Sequence, residues 1–183
     1  MASWRKILFI LGFFLIILGL GYFLKATYQP IPPASSRPVY YIPEPTSPIK
    51  TQAVFDLINK ERGKEKLVPY QRNNTLDYTA YIRALNIVEN RDFSHEATKS
   101  GMTFEKTATK AGYSYKELGE NLAIGFNNPE NLIKEWLLSP KHKENLLSKE
   151  FKEIGLAVVI GDEDFYRPPL ITVAIFGALL LPH

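Results

Sequence analysis

The sequence predicts an α+β fold in which helices cover both faces of a small sheet. Two β-rich, almost wholly apolar runs, residues 154–160 and 170–176, follow a long region of helical patterns. Strands this apolar are buried on both faces, so they require helices on either side. The polar stretch between the two runs predicts an antiparallel hairpin at the centre of the sheet. The expected architecture is therefore a three-layer α-β-α sandwich.

Residues 7–24 contain no charged residue and form the first distinct segment of the chain. As a helix this segment would be about 27 Å long, close to the hydrocarbon thickness of a bilayer. Arg5 and Lys6 precede it and Lys25 follows it, so the positive-inside rule predicts a cytoplasmic N-terminus and an extracytoplasmic remainder. A cleaved signal peptide is the alternative, but its apolar region would span only about 7–15 residues. We expect a single-pass transmembrane signal anchor within residues 1–28.

Residues 29–50 have a different composition and include seven prolines. Proline lacks a backbone donor and disfavours helix in the residue before it, so this segment is predicted to be a semi-rigid, extended linker. Residues 51–180 then form the predicted globular domain.

Helix signals recur through the first two thirds of that domain. Asn128 followed by Pro129 is a strong start signal, because proline at the first helical position loses no useful hydrogen bond. Asn74 and Thr103 are predicted to cap the second and third helices. Residues 118–126 are glycine-punctuated and predict a loop or a short strand. Helices are expected over about residues 53–62, 74–91, 103–112, 129–137 and 140–146.

Composition excludes several kinds of site. The chain has no cysteine, which rules out disulfides, cysteine-ligated zinc, a thiol nucleophile and a lipidated cysteine. The net charge is +3 and the basic residues are interspersed with acidic ones, so nucleic acid is not an expected partner. The sequence also lacks the H-E-x-x-H, G-x-S-x-G and phosphate-loop motifs.

Three short polar motifs carry the candidate site residues His95, Glu120 and His142. Two imidazoles and one carboxylate form a reasonable ligand set for zinc, with an open position for water. Zinc would lower the pKa of that water and could make a hydrolytic nucleophile. The alternative is a metal-free arrangement in which both histidines bind Glu120 by hydrogen bonds. Both interpretations remain open at this point.

The ordered set of motifs from residue 51 to residue 177 resembles the CAP superfamily of cysteine-rich secretory proteins, antigen 5 and pathogenesis-related proteins, in its bacterial form. This domain is also called the SCP domain. The matching stretches are residues 57–62, 67–70, 93–95, 111–115, 119–123, 136, 139–147, 151–155 and 176–177.

The resemblance implies an α-β-α sandwich with a central cleft lined by His95, Glu120 and His142. Many eukaryotic members have a further glutamate where this chain has Ser139, so the acidic complement is reduced. Glu135 or Glu153 could supply a second acid.

The expected function is that of a membrane-anchored, extracytoplasmic CAP domain protein. A non-enzymatic binding module at the cell envelope, taking a lipid, glycan or protein ligand in the cleft, is the leading hypothesis. A zinc-dependent hydrolase using His95, Glu120 and His142 is the second, and a structural envelope protein is the third. The candidate cofactor is a divalent metal such as zinc.

Overall fold

The computed structural model describes residues 39–40, 42, 47–161 and 170–180. The predicted anchor, residues 1–28, lies outside the described residues, as does most of the predicted linker, residues 29–50. Within the described ranges, no helix is long and apolar enough to cross a membrane.

The described part of the chain forms five helices and four strands. They are α1 (Thr51–Lys64), β1 (Gln71–Arg72), α2 (Asn74–Asn90), α3 (Phe104–Lys110), β2 (Tyr115–Ile124), α4 (Pro129–Leu138), α5 (Pro140–Leu146), β3 (Glu153–Ile160) and β4 (Leu170–Leu179).

The four strands form one sheet in the order β1-β3-β4-β2. Strands β3 and β4 pair antiparallel at its centre, with Glu153 opposite Gly177, which confirms the predicted central pairing. Strand β2 pairs antiparallel with β4 and lies at one edge, whereas the short β1 runs parallel to β3 at the other. The position of β2 at an edge matters for the site described below.

Helices lie on both faces of this sheet, as the buried strands require. Alternate residues of β4 enter two separate hydrophobic clusters, because successive side chains of a strand point to opposite faces. One cluster contains α1, α4 and α5 and includes the fully buried Trp136, whose indole donates to the Leu122 carbonyl at 3.2 Å. The other contains α2 and α3. This mixed fold has helical layers either side of a four-stranded sheet.

Strand β2 corrects the sequence prediction of a loop or short strand at residues 118–126. The structure has a ten-residue strand, Tyr115–Ile124. Gly119 resembles a chain breaker in the sequence, but its role is spatial: a Cβ there would lie 2.7 Å from Asn145 Oδ1. The glycine permits close approach of α5 to the strand rather than ending the strand.

The predicted helix starts are mostly confirmed. Helix α4 begins at Pro129, and the Asn128 side chain accepts a hydrogen bond from the backbone of Asn131 at 2.8 Å. Helix α2 is capped by Asn73 rather than by the predicted Asn74. The one-residue difference arises because either asparagine is a suitable cap by residue type alone, and Asn74 has other partners.

A candidate binding site at the edge of the sheet

The edge strand β2 presents two consecutive polar residues, Glu120 and Asn121, to opposite faces of the sheet. Both are buried, with 5% and 0% of their surface exposed. Glu120 contacts Arg83 of α2, whereas Asn121 contacts Asn145 of α5. The strand therefore connects helices from both layers through adjacent positions.

Glu120 is held between two cationic groups. Its Oε1 lies 2.9 Å from Arg83 Nε, and both side chains are fully buried. Its Oε2 lies 2.8 Å from His95 Nδ1. The Arg83 contact has ion-pair distance without hydrogen-bond alignment, so charge attraction rather than a directed bond joins the two groups. Arg83 also donates to the Ser94 carbonyl, which fixes the loop that carries His95.

Neutral amides hold the other face. Asn145 Nδ2 donates to Asn121 Oδ1 at 2.8 Å and to the Glu120 carbonyl at 3.3 Å. Asn121 Nδ2 donates in turn to the His142 carbonyl at 3.1 Å. These bonds fix α5 on β2 and with it the backbone of His142.

The rings of the two histidines lie close to each other at the edge of the sheet. The ring centroids of His95 and His142 lie 6.5 Å apart with an angle of 58° between the ring planes. The His95 side chain is 48% exposed, and His142 is half-buried. The Nδ1 atom of His142 is buried without a hydrogen-bond partner in the described part of the chain. We refer to His95 and His142 as the histidine pair; the structure brings it together with Glu120.

The two imidazoles have opposite electrostatic surroundings. The hydrogen bond with Glu120 raises the pKa of His95 above its ordinary value near 6.5, against an opposing effect of partial burial. Burial, and then the charge of His95, lower the pKa of His142, with Glu135 acting in the opposite direction. Near pH 6.5, His95 therefore carries more positive charge than His142.

The arrangement of Glu120 does not fit a zinc site shared with the histidine pair as it stands. Among the described residues, no group of three or more His, Cys, Asp or Glu side chains is placed to hold a metal ion. Glu120 Oε1 already contacts Arg83, and Glu120 Oε2 contacts Nδ1 of His95. Zinc binding by His95, His142 and Glu120 stays a prediction that a titration can test.

The possible second acids have other positions. Glu153 accepts a hydrogen bond from the Tyr113 hydroxyl at 2.7 Å. Glu135 acts on His142 through its charge. Ser139 occupies the N-cap position of α5.

Arg83 is the site residue that sequence reasoning missed. The buried stripe of α2 includes Leu76, Ala80, Ala84 and Ile87, and Arg83 lies on it, four residues before Ile87. A charge on an apolar helix face costs free energy unless a partner of opposite charge is buried with it. That isolated arginine was the signal for a buried acid such as Glu120.

Comparisons with known proteins agree with this fold. The family model described as "Cysteine-rich secretory protein family" matches residues 55–176. The uncharacterized protein YkwD of Bacillus subtilis is 35% identical over 106 residues, which cover 58% of this chain and 41% of that protein. The uncharacterized membrane protein YlbC of the same organism is 25% identical over 113 residues, or 62% of this chain and 32% of that protein. The chain thus matches less than half the length of either relative.

Solved structures are similar as well. An outer surface protein from Borrelia burgdorferi superimposes with a TM-score of 0.62 at 28% identity, covering 70% of this chain and 92% of that one. An extracellular SCP-domain protein from Bacillus anthracis gives 0.59 at 24% identity, covering 69% and 39%; at this identity the likeness concerns the fold alone. Because the family model matches most of the length of this chain, the chain belongs to the cysteine-rich secretory protein (CAP) family.

Proposed function

We propose that this protein is a membrane-anchored, extracytoplasmic CAP domain protein that acts as a non-enzymatic binding module at the cell envelope. The histidine pair is its ligand-binding site. The observation that carries the proposal is the state of Glu120, whose two oxygens face Arg83 and His95 while both imidazoles stay partly exposed.

Glu120 is poorly suited to act as a general base or a metal ligand. Both of its oxygens are already engaged, one with Arg83 and one with His95, so a proton or a metal ion could bind only at the expense of one of these contacts. Its function in this proposal is to position and charge His95.

The histidine pair is better suited to binding. A protonated His95 donates hydrogen bonds and attracts negative charge, whereas a neutral His142 both donates and accepts. Together they fit a polar or anionic group on a lipid, a glycan or a protein.

The envelope location rests on residues 7–24 and on two relatives. The name of one Bacillus subtilis relative describes a membrane protein, and that of the Borrelia burgdorferi structure an outer surface protein. Residues 7–24 are long and apolar enough to anchor this chain in the same kind of environment.

Co-sedimentation of the full chain in detergent with purified cell-wall sacculi, and separately of the full chain in detergent-free nanodiscs with anionic lipid vesicles, tests the proposal. We expect binding to one of these without turnover, and a loss of about tenfold or more in affinity, roughly 1.4 kcal/mol, in His142→Ala. Lys141→Ala is the matched control, because it removes an exposed side chain from the same helix. Equal binding by His142→Ala and the wild type would contradict the assignment of the site.

A zinc-dependent hydrolase is the second candidate, favoured by the His142 Nδ1 atom, which is buried without a hydrogen-bond partner among the described residues. Calorimetric titration with zinc separates it from the first. Binding of one equivalent that is abolished in both His95→Ala and His142→Ala would support it. Absence of binding near neutral pH, with both variants folded, would exclude it.

A further inference from the structure

A second cluster of specific contacts lies at the N-terminal end of α2, the end opposite the loop that carries His95. The rings of Tyr40 and Tyr78 stack with centroids 3.8 Å apart and planes 6° from parallel. The Tyr40 hydroxyl donates to the Ala111 carbonyl at 3.0 Å. Tyr40 is thus in contact with α2 and with the end of α3, although it belongs to the predicted linker.

Asn74 binds both backbone groups of the same tyrosine. The Tyr40 amide donates to Asn74 Oδ1 at 2.6 Å, and Asn74 Nδ2 donates to the Tyr40 carbonyl at 3.1 Å. A neighbouring β-strand would offer this same pair of bonds to an extended residue. The amide therefore recognises an extended backbone, and the stacked ring and hydroxyl contact select for tyrosine.

The neighbouring residues agree with an extended chain. Val39 is 90% exposed, whereas Tyr40 and Ile42 are half-buried, as in a strand whose alternate side chains face the protein. Further along, Ser47 and Ile49 are buried just before α1 begins. The linker thus contacts the domain at several points ahead of residue 51.

We propose that Asn74, Tyr78 and the Ala111 carbonyl form a docking site for a tyrosine in an extended segment, here named the tyrosine clip, and that Tyr40 of the same chain occupies it. In this arrangement the domain binds its own linker. Ser47 is already buried in the domain, so docking of Tyr40 removes a further seven residues, 40–46, from the length of linker between the domain and the anchor, roughly 22 Å if extended. This consequence for distance from a membrane rests on the proposed anchor; the clip itself does not.

The same chain is the occupant that the structure favours. Ser47 and Ile49 are buried in the domain, so Tyr40 lies seven residues from the nearer of these two points of attachment. A short tether gives an effective concentration in the millimolar range, which a second copy of the protein does not match at ordinary concentrations.

A spin label tests the clip directly, since a chain without cysteine accepts a single introduced one. Val39→Cys carries a nitroxide on an exposed position beside Tyr40, and its electron paramagnetic resonance spectrum is recorded on the full chain in detergent. We expect a motionally restricted component that Tyr40→Ala, Tyr78→Ala and Asn74→Ala each abolish. Glu89→Ala, an exposed change at the other end of α2, should leave that component unchanged.

The remaining outcomes overturn the proposal. A fully mobile label in the wild type, or a restricted label that none of the three variants releases, would show that Tyr40 does not occupy the clip. A restricted component that falls on dilution would assign the occupant to a second copy instead. If a substitution in α2 prevents folding, Tyr40→Ala alone tests whether Tyr40 occupies the clip, because this variant leaves the surface of the domain intact.

Discussion

The two faces of strand β2 hold the site by different means. On the face of α2, Glu120 forms a buried ion pair with Arg83; on the face of α5, Asn121 and Asn145 form a neutral amide network. The charged contact fixes His95 through its side chain, and the neutral contacts fix His142 through its backbone. Because β2 is an edge strand, residues from the two layers meet around it.

This difference distinguishes the residues that support the site from the residues that can respond to a ligand or a proton. Glu120, the acid in the sequence motif, is buried and contacts Arg83 and His95, whereas the two histidines are partly exposed and have shifted pKa values. A residue with reactive chemistry can therefore act as scaffold, and its reactivity has to be judged from its partners.

The largest expected effect comes from removing the buried cation. Arg83→Met leaves Glu120 buried without its main counter-charge, which should lower the free energy of unfolding by about 3–5 kcal/mol. Denaturation in urea measures it. The double variant Arg83→Met with Glu120→Leu should recover much of the loss, because no buried charge remains unpaired. A small effect in the single variant would mean that the ion pair is not the main support of this face.

A smaller effect is expected on the amide face. Gly119→Ala places a Cβ 2.7 Å from Asn145 Oδ1, so the Asn145 side chain or α5 must shift, at a cost of about 1–3 kcal/mol of stability. Gly63→Ala is the matched control: nothing lies within 4 Å of its Cβ, and alanine favours the helix by about 0.5–1 kcal/mol. Thermal or urea unfolding of the two variants should therefore move in opposite directions. Equal shifts would argue against the close approach of α5.

The smallest effect on stability is expected from the histidine pair itself. His142→Ala removes a half-buried ring whose Nδ1 has no partner among the described residues. The free energy of unfolding should therefore change by only about 0.5 kcal/mol. The same variant should lose binding to sacculi or vesicles. A large destabilisation would show that His142 supports the fold, as Glu120 and Arg83 do.

The pH dependence of stability should separate the two histidines by sign. The raised pKa of His95 contributes stability that is fully present below pH 6.5 and is lost as the pH rises through its folded value. The lowered pKa of His142 has the opposite sign: its neutral form is favoured, so it costs stability as the pH falls below 6.5. Urea unfolding of His95→Gln and His142→Gln across this range measures each contribution. If neither variant changed the pH dependence of the free energy of unfolding, the two opposite pKa shifts would be contradicted.

Local patterns were enough to predict much of the fold. Pro129 after Asn128 marked a helix start, and the two apolar runs marked the central strands. The sequence predicts a loop or a short strand where β2 has ten residues, because the need for Gly119 comes from its closeness to Asn145, which lies far along the chain. His95, Glu120 and His142 were predicted as a group from their resemblance to a family, whereas Arg83 became visible once its helix packed against Glu120. Register and burial at an edge strand depend on non-local pairing, which residue patterns specify weakly.

The division between scaffold and histidine pair is tested most directly by nuclear magnetic resonance titration of His95 and His142. We predict a pKa above 6.5 for His95 and below 6.5 for His142, and a lower pKa for His95 in Glu120→Gln than in the wild type. Wild-type protein alone already tests the order of the two values. A His95 that titrates at or below its ordinary value, or that does not respond to Glu120→Gln, would contradict the role assigned to Glu120.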